Sequence, residues 1–132
     1  MSNGYVRGGY SDSGTASGNT VSISDGDCDT RIMNDVTGGA SYSSSTDNSV
    51  TVSGGTISGR VYGGSSSCDD ASGNSVTVSG GTISSYVYGG YSSDGNASGN
   101  SIIISGGTIS HSVYGNYSAS GTATSIPDMK QP

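Results

Sequence analysis

The chain repeats itself, and this repetition limits the folds that it can adopt more than any other feature. The string NSVTVSGGTIS begins at Asn74, and near copies begin at Asn48 and Asn100, so the period is 26 residues. A second motif, Val-Tyr-Gly-Gly, begins at Val61 and Val87 and recurs with a terminal Asn 26 residues later. Self-similarity with a period of about 20–50 residues is typical of solenoids and other stacked repeats.

Inside each repeat, apolar residues alternate with hydroxyl residues. Val76 and Val78 are separated by a threonine and flanked by serines, which is the pattern of a strand with one buried face. The glycine pair 80–81 interrupts this strand, and two further short strands are expected around 82–84 and 87–88. The sequence therefore predicts an all-β fold, a parallel β-solenoid (β-helix) of about five coils with three short strands per coil.

The apolar content is too low for an ordinary layered core. Hydrophobic residues make up 30% of the chain, Gly occupies 24 positions, and Phe and Trp are absent. One coil would bury only Val76, Val78, Ile83, Val87 and Ala97, so it cannot fold alone. Stacked coils about 4.8 Å apart pair every strand with the copies above and below it. Because parallel crossovers are overwhelmingly right-handed, we expect a right-handed coil.

The repeat also defines the domain organisation. We expect one solenoid domain over 1–124, followed by a C-terminal tail or linker over 125–132. Asn19 and Asn48 are 29 residues apart rather than 26, which indicates an irregular insertion within 27–36. The expected coil units are 5–18, 19–47, 48–73, 74–99 and 100–124.

Identical residues at one position of successive coils should form columns. Asn48, Asn74 and Asn100 are expected inside the coil or at a corner, as a structural ladder whose amides bond along the axis. Tyrosines form a second column, which we expect to point outward. These rings could contact a partner or stabilise the stack, and both interpretations stay open. The candidate contact residues are Tyr62, Tyr88, Tyr114, Tyr91 and Tyr117, with Tyr10 as a companion.

The first strand of each coil also presents hydroxyl groups to solvent. Thr51 and Thr77 share one column, in which Ile103 replaces the hydroxyl residue. Neighbouring hydroxyls would lie about 4.8 Å apart across coils and about 7 Å apart along a strand. Ice-binding solenoids use flat grids of this kind to order water. Small polar residues on the exposed side of a strand also explain the pattern, so ice binding is kept as an alternative function.

The charge and the few reactive residues exclude several functions. The net charge is -6, and the basic residues are Arg7, Arg31, Arg60 and Lys130, so no patch can neutralise nucleic-acid phosphates. No apolar run approaches the length of about 18 residues that a membrane span needs. His111, the single histidine, is expected at an exposed corner, and no serine lies in a nucleophile motif. We therefore predict no enzymatic activity, no cofactor and no nucleic-acid partner.

The acidic residues and the two cysteines raise the questions of a calcium site and of a disulfide bond. Asp25, Asp27 and Asp29 alternate along the chain and are a calcium candidate, although a solvated acidic edge explains them without a metal. Cys28 aligns with the inward isoleucine of later coils, whereas Cys68 aligns with a loop position. Two coils separate these cysteines by about 10 Å. Because a disulfide spans about 4.4–6.8 Å between Cα atoms, we predict no intrachain bridge.

The string VYGGYSSDGNASGNSIIISGGTI, residues 87–109, resembles the passenger repeats of bacterial autotransporter-type surface adhesins. The resemblance covers most of the chain and implies a secreted β-helix displayed on a bacterial cell surface. It also implies adhesion or cell aggregation, with a glycan or protein on a host or neighbouring cell as the partner. Because neither a signal peptide nor a membrane barrel is found, we expect a fragment of a longer passenger. A further alternative is a self-assembling filament subunit, since open solenoid ends invite end-to-end stacking.

Overall fold

The computed structural model describes residues 5–24 and 30–122, in which the regular elements are β-strands that recur in a fixed order of lengths. Since these residues contain no helix, none of them forms a helical membrane span. The longest strands are β1 (Val6–Ser11), β5 (Val36–Ser41), β9 (Val61–Ser66), β13 (Val87–Ser92) and β17 (Val113–Ser118). The intermediate strands are β3 (Thr20–Ile23), β7 (Ser49–Val52), β11 (Ser75–Val78) and β15 (Ser101–Ile104). The shortest strands are β2 (Ala16–Ser17), β4 (Arg31–Ile32), β6 (Ser45–Thr46), β8 (Thr56–Ile57), β10 (Ala71–Ser72), β12 (Thr82–Ile83), β14 (Ala97–Ser98) and β16 (Thr108–Ile109).

Equivalent strands of successive coils pair in parallel and form four sheets. The long sheet has the order β1-β5-β9-β13-β17 and the middle sheet the order β3-β7-β11-β15. Two short sheets contain β2-β6-β10-β14 and β4-β8-β12-β16. The chain thus visits every sheet before it returns to the first, in about four turns. The predicted all-β parallel β-solenoid is confirmed.

The pairing register places chemically equivalent residues directly beside one another. Ser75 pairs with Ser49 on one side and with Ser101 on the other, 26 positions before and after it. Val87 likewise lies between Val61 and Val113 in the long sheet. Because a register slip of one residue would turn the valines outward, burial of these side chains holds the strands in this register.

The sequence predicted three strands per coil, whereas the structure has four. The strand expected around 87–88 does not end before the glycine pair, because β13 continues through Gly89 and Gly90. A Cβ on Gly89 would lie 2.6 Å from the carbonyl oxygen of Gly115, and a Cβ on Gly90 would lie 2.2 Å from Cγ of Asn100. The pair therefore allows close packing within a strand. The fourth strand is only two residues long, which is too short to carry a recognisable alternation.

The irregular insertion lies before β4. Four more residues separate β3 from β4 than separate β7 from β8, the strands that pair with them. Ile32 therefore occupies the inward position beside Ile57. The alignment that assigned this position to Cys28 is wrong, because the extra residues precede the position. Cys28 itself lies outside the described residues.

The core is a single cluster of valine and isoleucine side chains between the sheets. The residues expected to be buried in one coil are indeed 0% exposed: Val76, Val78, Ile83, Val87 and Ala97. Each coil contributes few of these side chains, so the coils gain most of their apolar burial by covering one another. The buried polar residues of this interior lie in register as well, and they support the surface described next.

Candidate functional surface and its support

The asparagine column lies inside the solenoid and links the coils along the axis. The backbone N–H and Nδ2 of Asn48 both donate to Oδ1 of Asn74, at 3.0 Å each. The same two groups of Asn74 donate to Oδ1 of Asn100, at 2.8 and 2.9 Å. Nδ2 of Asn74 also donates to the carbonyl oxygen of Ser45. No buried side-chain nitrogen or oxygen of the described residues lacks a hydrogen bond, so the ladder introduces no unsatisfied group into the core.

Asn116 completes the ladder, a role that the sequence analysis missed. It pairs with Gly90 in the long sheet, and its Oδ1 accepts hydrogen bonds from the backbone N–H and Nδ2 of Asn100 at 3.1 and 2.7 Å. In a further regular repeat, the acceptor for Asn100 would be an asparagine 26 residues later. The sequence has Ile126 at that position instead. The signal was present in the sequence, because Asn116 replaces the second glycine of the Val-Tyr-Gly-Gly motif.

Tyrosine rings cover part of the long sheet in two stacked columns. In the first column, Tyr62 stacks on Tyr88 with ring centroids 5.0 Å apart, and Tyr88 stacks on Tyr114 at 5.3 Å. In the second column, Tyr91 stacks on Tyr117 at 5.2 Å. The strands β9, β13 and β17 pair in register, so equivalent rings are brought face to face. Two residues separate the columns along a strand: Gly89 and Gly90 in β13, and Gly115 and Asn116 in β17.

The two columns meet edge to face, and this contact covers rings that were expected to face outward. Tyr91 lies edge-on to Tyr62 and Tyr88, with centroids 5.6 and 5.5 Å apart. Tyr62 and Tyr88 are consequently only 8% exposed, while Tyr91, Tyr114 and Tyr117 are half-buried. Tyr62 and Tyr88 were expected in an outward column of rings, and neighbouring rings cover both of them there. They support the surface from below.

Two further residues extend this surface and were missed in the sequence. The ring of Tyr86 lies 5.1 Å from that of His111 and 6.2 Å from that of Tyr88. Nη1 of Arg60 donates to the hydroxyl of Tyr62 at 3.2 Å. Both residues immediately precede a Val-Tyr motif, which was the available signal. His111 is exposed at its corner, as expected. We call the following set the tyrosine face: Tyr62, Tyr86, Tyr88, Tyr91, Tyr114 and Tyr117.

Burial moves the ionisation of the covered rings in the tyrosine face to higher pH. The pKa of Tyr88 is raised from 10.0 to about 12, first because burial disfavours the phenolate and then because Tyr62 lies beside it. Burial also raises the pKa of Tyr62, while the hydrogen bond from Arg60 opposes this effect. The covered rings of the face are therefore neutral at physiological pH.

A separate aromatic cluster lies on β1 and the residue before it, at the other edge of the long sheet. The guanidinium carbon of Arg7 lies 5.2 Å from the ring centroids of both Tyr5 and Tyr10. The hydroxyl of Tyr10 donates to Asp12 at 3.1 Å, and this bond raises the pKa of Tyr10. The column of Tyr10 continues through β5 and β9 as alanine and serine before it reaches Tyr91. Tyr10 is thus not part of the tyrosine face.

The hydroxyl columns lie on the outer side of the middle sheet. Thr51 pairs with Thr77, and both side chains are half-buried. Oγ1 of Thr20 and Oγ of Ser49 are hydrogen bonded to each other at 3.2 Å. Ile103, the interruption noted in the sequence, is 55% exposed. The columns are therefore in register, and an apolar side chain interrupts one of them.

The remaining candidates lie partly outside the described residues. The calcium candidate of Asp25, Asp27 and Asp29 lies outside them, as does the tail 125–132. Within residues 5–24 and 30–122, no group of three or more His, Cys, Asp or Glu side chains could hold a metal ion. Cys68 is a free, exposed thiol. The absence of a disulfide to Cys28 stays a prediction.

No protein family, curated protein or solved structure matches this chain. Function is therefore inferred from three features of the molecule: the tyrosine face, the hydroxyl columns and the repetitive solenoid that holds both in place.

Proposed function

We propose that this protein is an extracellular structural and adhesive β-solenoid whose tyrosine face contacts a glycan or protein on a host or neighbouring cell. In this proposal the chain is a right-handed stack of about five coils with a repeat of 26 residues. It belongs to a bacterial surface passenger and acts in adhesion or cell aggregation.

The observation that carries the proposal is the ring packing of the tyrosine face. Tyr91 and Tyr117 are half-buried, and their rings are held by the covered rings of Tyr62 and Tyr88. Rings that are already fixed lose little side-chain entropy on binding, so more of the contact energy is available for affinity. Tyrosine also combines an apolar face with a hydroxyl group, which suits the stacking and hydrogen bonding of sugar rings and partner proteins.

The charge of the chain limits the chemical classes of partner that the tyrosine face can bind. The net charge is -6, and the covered tyrosines are neutral, since a phenol is protonated below a pKa of about 10 and burial raises this pKa further. A polyanionic partner would be repelled by the molecule as a whole. The proposal therefore favours a neutral glycan or a protein surface that is neutral or basic.

The decisive experiment compares the wild type with two variants that each carry three substitutions, one set in the tyrosine face and one set in the middle sheet. In the first, Tyr86, Tyr91 and Tyr117 are replaced by serine. Both variants and the wild type are coated on beads, and their binding to cultured epithelial cells, bacterial cells and an array of neutral glycans is measured. We expect the wild type to bind and the tyrosine variant to lose most of this binding.

The matched control carries alanine at Thr51, Ser75 and Thr77 on the middle sheet. We expect it to bind like the wild type, and circular dichroism checks that both variants keep the β-solenoid. Undiminished binding by a folded tyrosine variant, or no binding by the wild type to any of these targets, would reject the adhesive role of this face.

Ice binding is a second candidate, and the in-register pairing of Thr51 with Thr77 favours it. Two threonines side by side on a flat sheet repeat at the spacing of the strands, about 4.8 Å. Thermal hysteresis of the purified protein tests this function. Hysteresis no larger than that of serum albumin at equal mass concentration would reject it, whereas loss of a measured hysteresis in the control with Thr51→Ala and Thr77→Ala would support it.

A filament subunit is the third candidate, favoured by the edges of the long sheet. Among the described strands, β1 pairs only with β5 and β17 only with β13, and an open strand edge can pair with another chain. Asn116 opposes in-register addition because it already occupies the acceptor place beside Asn100. Sedimentation velocity over a wide range of concentrations distinguishes the outcomes, since a constant monomer would exclude a filament.

A further inference from the structure

Tyr91 and Tyr117 form an aligned and accessible tyrosine pair. Their rings are stacked with centroids 5.2 Å apart and an angle of 6° between the planes. They occupy paired positions of the parallel strands β13 and β17, so both side chains lie on the same face of the sheet. Near-parallel rings at this centroid distance fit the offset stacking that aromatic pairs favour, and the strand register holds the two rings side by side.

The surroundings hold both rings in place without covering them. Tyr91 is packed edge-on against Tyr88 at 5.5 Å, and Tyr117 is packed edge-on against Tyr88 and Tyr114 at 5.4 Å. Both rings remain half-buried, whereas the stacked pair of Tyr62 and Tyr88 is only 8% exposed on each member. Of the stacked pairs in the tyrosine face, the pair of Tyr91 and Tyr117 is thus the one that is open to an oxidant on both rings.

We propose that Tyr91 and Tyr117 are a site of oxidative cross-linking, where a dityrosine bond joins two adjacent coils. The co-reactants are hydrogen peroxide and a haem peroxidase. Each phenol loses one electron and one proton and becomes a tyrosyl radical, while peroxide takes up two electrons and two protons and becomes two molecules of water. The radicals combine through the carbons ortho to their hydroxyl groups. The hydrogen on each of these carbons then moves to the phenol oxygen, which restores both aromatic rings.

The bond would join β13 to β17 within one chain. The two residues are paired across the sheet, so the partner ring is always present at short distance, whereas a ring of a second molecule must diffuse into place. Coupling within the chain should therefore dominate at low protein concentration. This inference does not depend on the proposed adhesive function, because it needs only the ring geometry and the accessibility of the pair.

The test treats the purified full chain at low concentration with horseradish peroxidase and hydrogen peroxide. We expect a monomer that has lost two hydrogen atoms by mass spectrometry, with the blue fluorescence of dityrosine. Peptide mapping should place the link between Tyr91 and Tyr117. Tyr91→Phe and Tyr117→Phe keep the ring but remove the phenol, so each should lose most of the monomer product.

Tyr42→Phe is the matched control, because Tyr42 is 60% exposed and lies outside the tyrosine face. This variant should give as much monomer product as the wild type. A wild-type product that is linked only between chains, or mapped to other tyrosines, would overturn the inference. So would an undiminished monomer product in Tyr91→Phe. Mapping of the wild-type product decides the question even if a phenylalanine variant does not fold.

Discussion

At the scale of single residues, the glycines are required for two separate reasons that alanine substitution can distinguish. A Cβ on Gly64 would lie 2.3 Å from Cγ of Asn74, so the residue is small because a side chain packs on it. Gly99 has a positive φ of 64°, but the nearest atom to its added Cβ is 3.8 Å away. Asp47 adopts a φ of 55° at the equivalent place before the ladder asparagine, which indicates that this corner accepts a side chain.

We therefore predict unequal losses of stability in the two variants. Gly99→Ala should lower the free energy of unfolding by about 1 kcal/mol, the conformational cost of a left-handed backbone. Gly64→Ala should lower it by about 3 kcal/mol, because an added methyl group must displace a buried amide. Urea denaturation followed by circular dichroism measures both values. Equal losses would contradict the distinction between conformational and steric glycines.

The tyrosine face should make stability sensitive to alkaline pH. The pKa of Tyr88 is raised from 10.0 to about 12 in the folded protein, chiefly by burial. The unfolded chain therefore releases this proton at lower pH than the folded chain does. The protonated phenol of Tyr88 therefore contributes fully to the free energy of unfolding below pH 10.0, and this contribution is lost as the pH rises towards about 12.

Urea denaturation at a series of alkaline pH values, together with the near-ultraviolet absorbance of tyrosinate, measures this effect. Tyr88→Phe removes the ionisable group and keeps the ring, so its stability should fall less steeply over the same range. A wild-type protein whose stability falls no more steeply than that of Tyr88→Phe would contradict the prediction.

At the scale of the structural element, the asparagine ladder ties each coil to the next. Oδ1 of Asn74 accepts two hydrogen bonds from Asn48, and Nδ2 of Asn74 donates to Ser45 and Asn100. Asn74→Ala removes these bonds and leaves several buried groups without partners, each of which costs about 1–3 kcal/mol. We predict a loss of about 3 kcal/mol or more in the free energy of unfolding.

Ser75→Ala is the control for this variant, because Ser75 is the next residue and its side chain is only half-buried. It should lower the free energy of unfolding by less than about 0.5 kcal/mol, as is usual for surface substitutions. Urea denaturation measures both losses. If the two variants lose similar amounts of stability, then Asn74 stabilises the fold no more than a residue on the outer side of the strand does.

The elements also show how far the sequence could predict the fold. The alternation of Val76 and Val78 and the 26-residue spacing of the asparagines predicted the parallel strands and an amide ladder, which was placed either inside the coil or at a corner. The strand through Gly89 and Gly90 was not predicted, because glycine usually marks a break and its packing against an asparagine appears only in three dimensions. The burial of Tyr88 was also missed, since it depends on rings from three strands that meet on one surface.

At the scale of the whole molecule, stability should vary along the axis. A middle strand such as β9 pairs on both sides, with β5 and β13, whereas β17 is paired with β13 in the described part of the chain. A repeat protein is approximately a sum of coil stabilities and interfaces between neighbours. Opening a terminal coil breaks fewer interfaces than opening a central one, so the ends should open more often.

Asn116 makes this gradient testable at one end. Its Oδ1 is the acceptor for the backbone N–H and Nδ2 of Asn100, which is 2% exposed. Asn116→Ala would leave these donors unpaired near the end of the ladder, at a cost of about 1–3 kcal/mol. The cost falls on β15 and β17, because Asn100 immediately precedes β15 and Asn116 lies on β17. The strands β5 and β7 make no bond to Asn116 in the ladder.

Amide hydrogen exchange should therefore report two effects. In the wild type, the slowest amides should lie in β9 and β11, with faster exchange towards β1 and β17. In Asn116→Ala, exchange should accelerate in β15 and β17 and stay nearly unchanged in β5 and β7. If all strands instead exchange at one rate, and that rate rises uniformly in the variant, then the coils unfold as one cooperative unit. That result would contradict the predicted gradient of stability along the axis, because the interfaces between coils would then be strong enough to prevent any coil from opening alone.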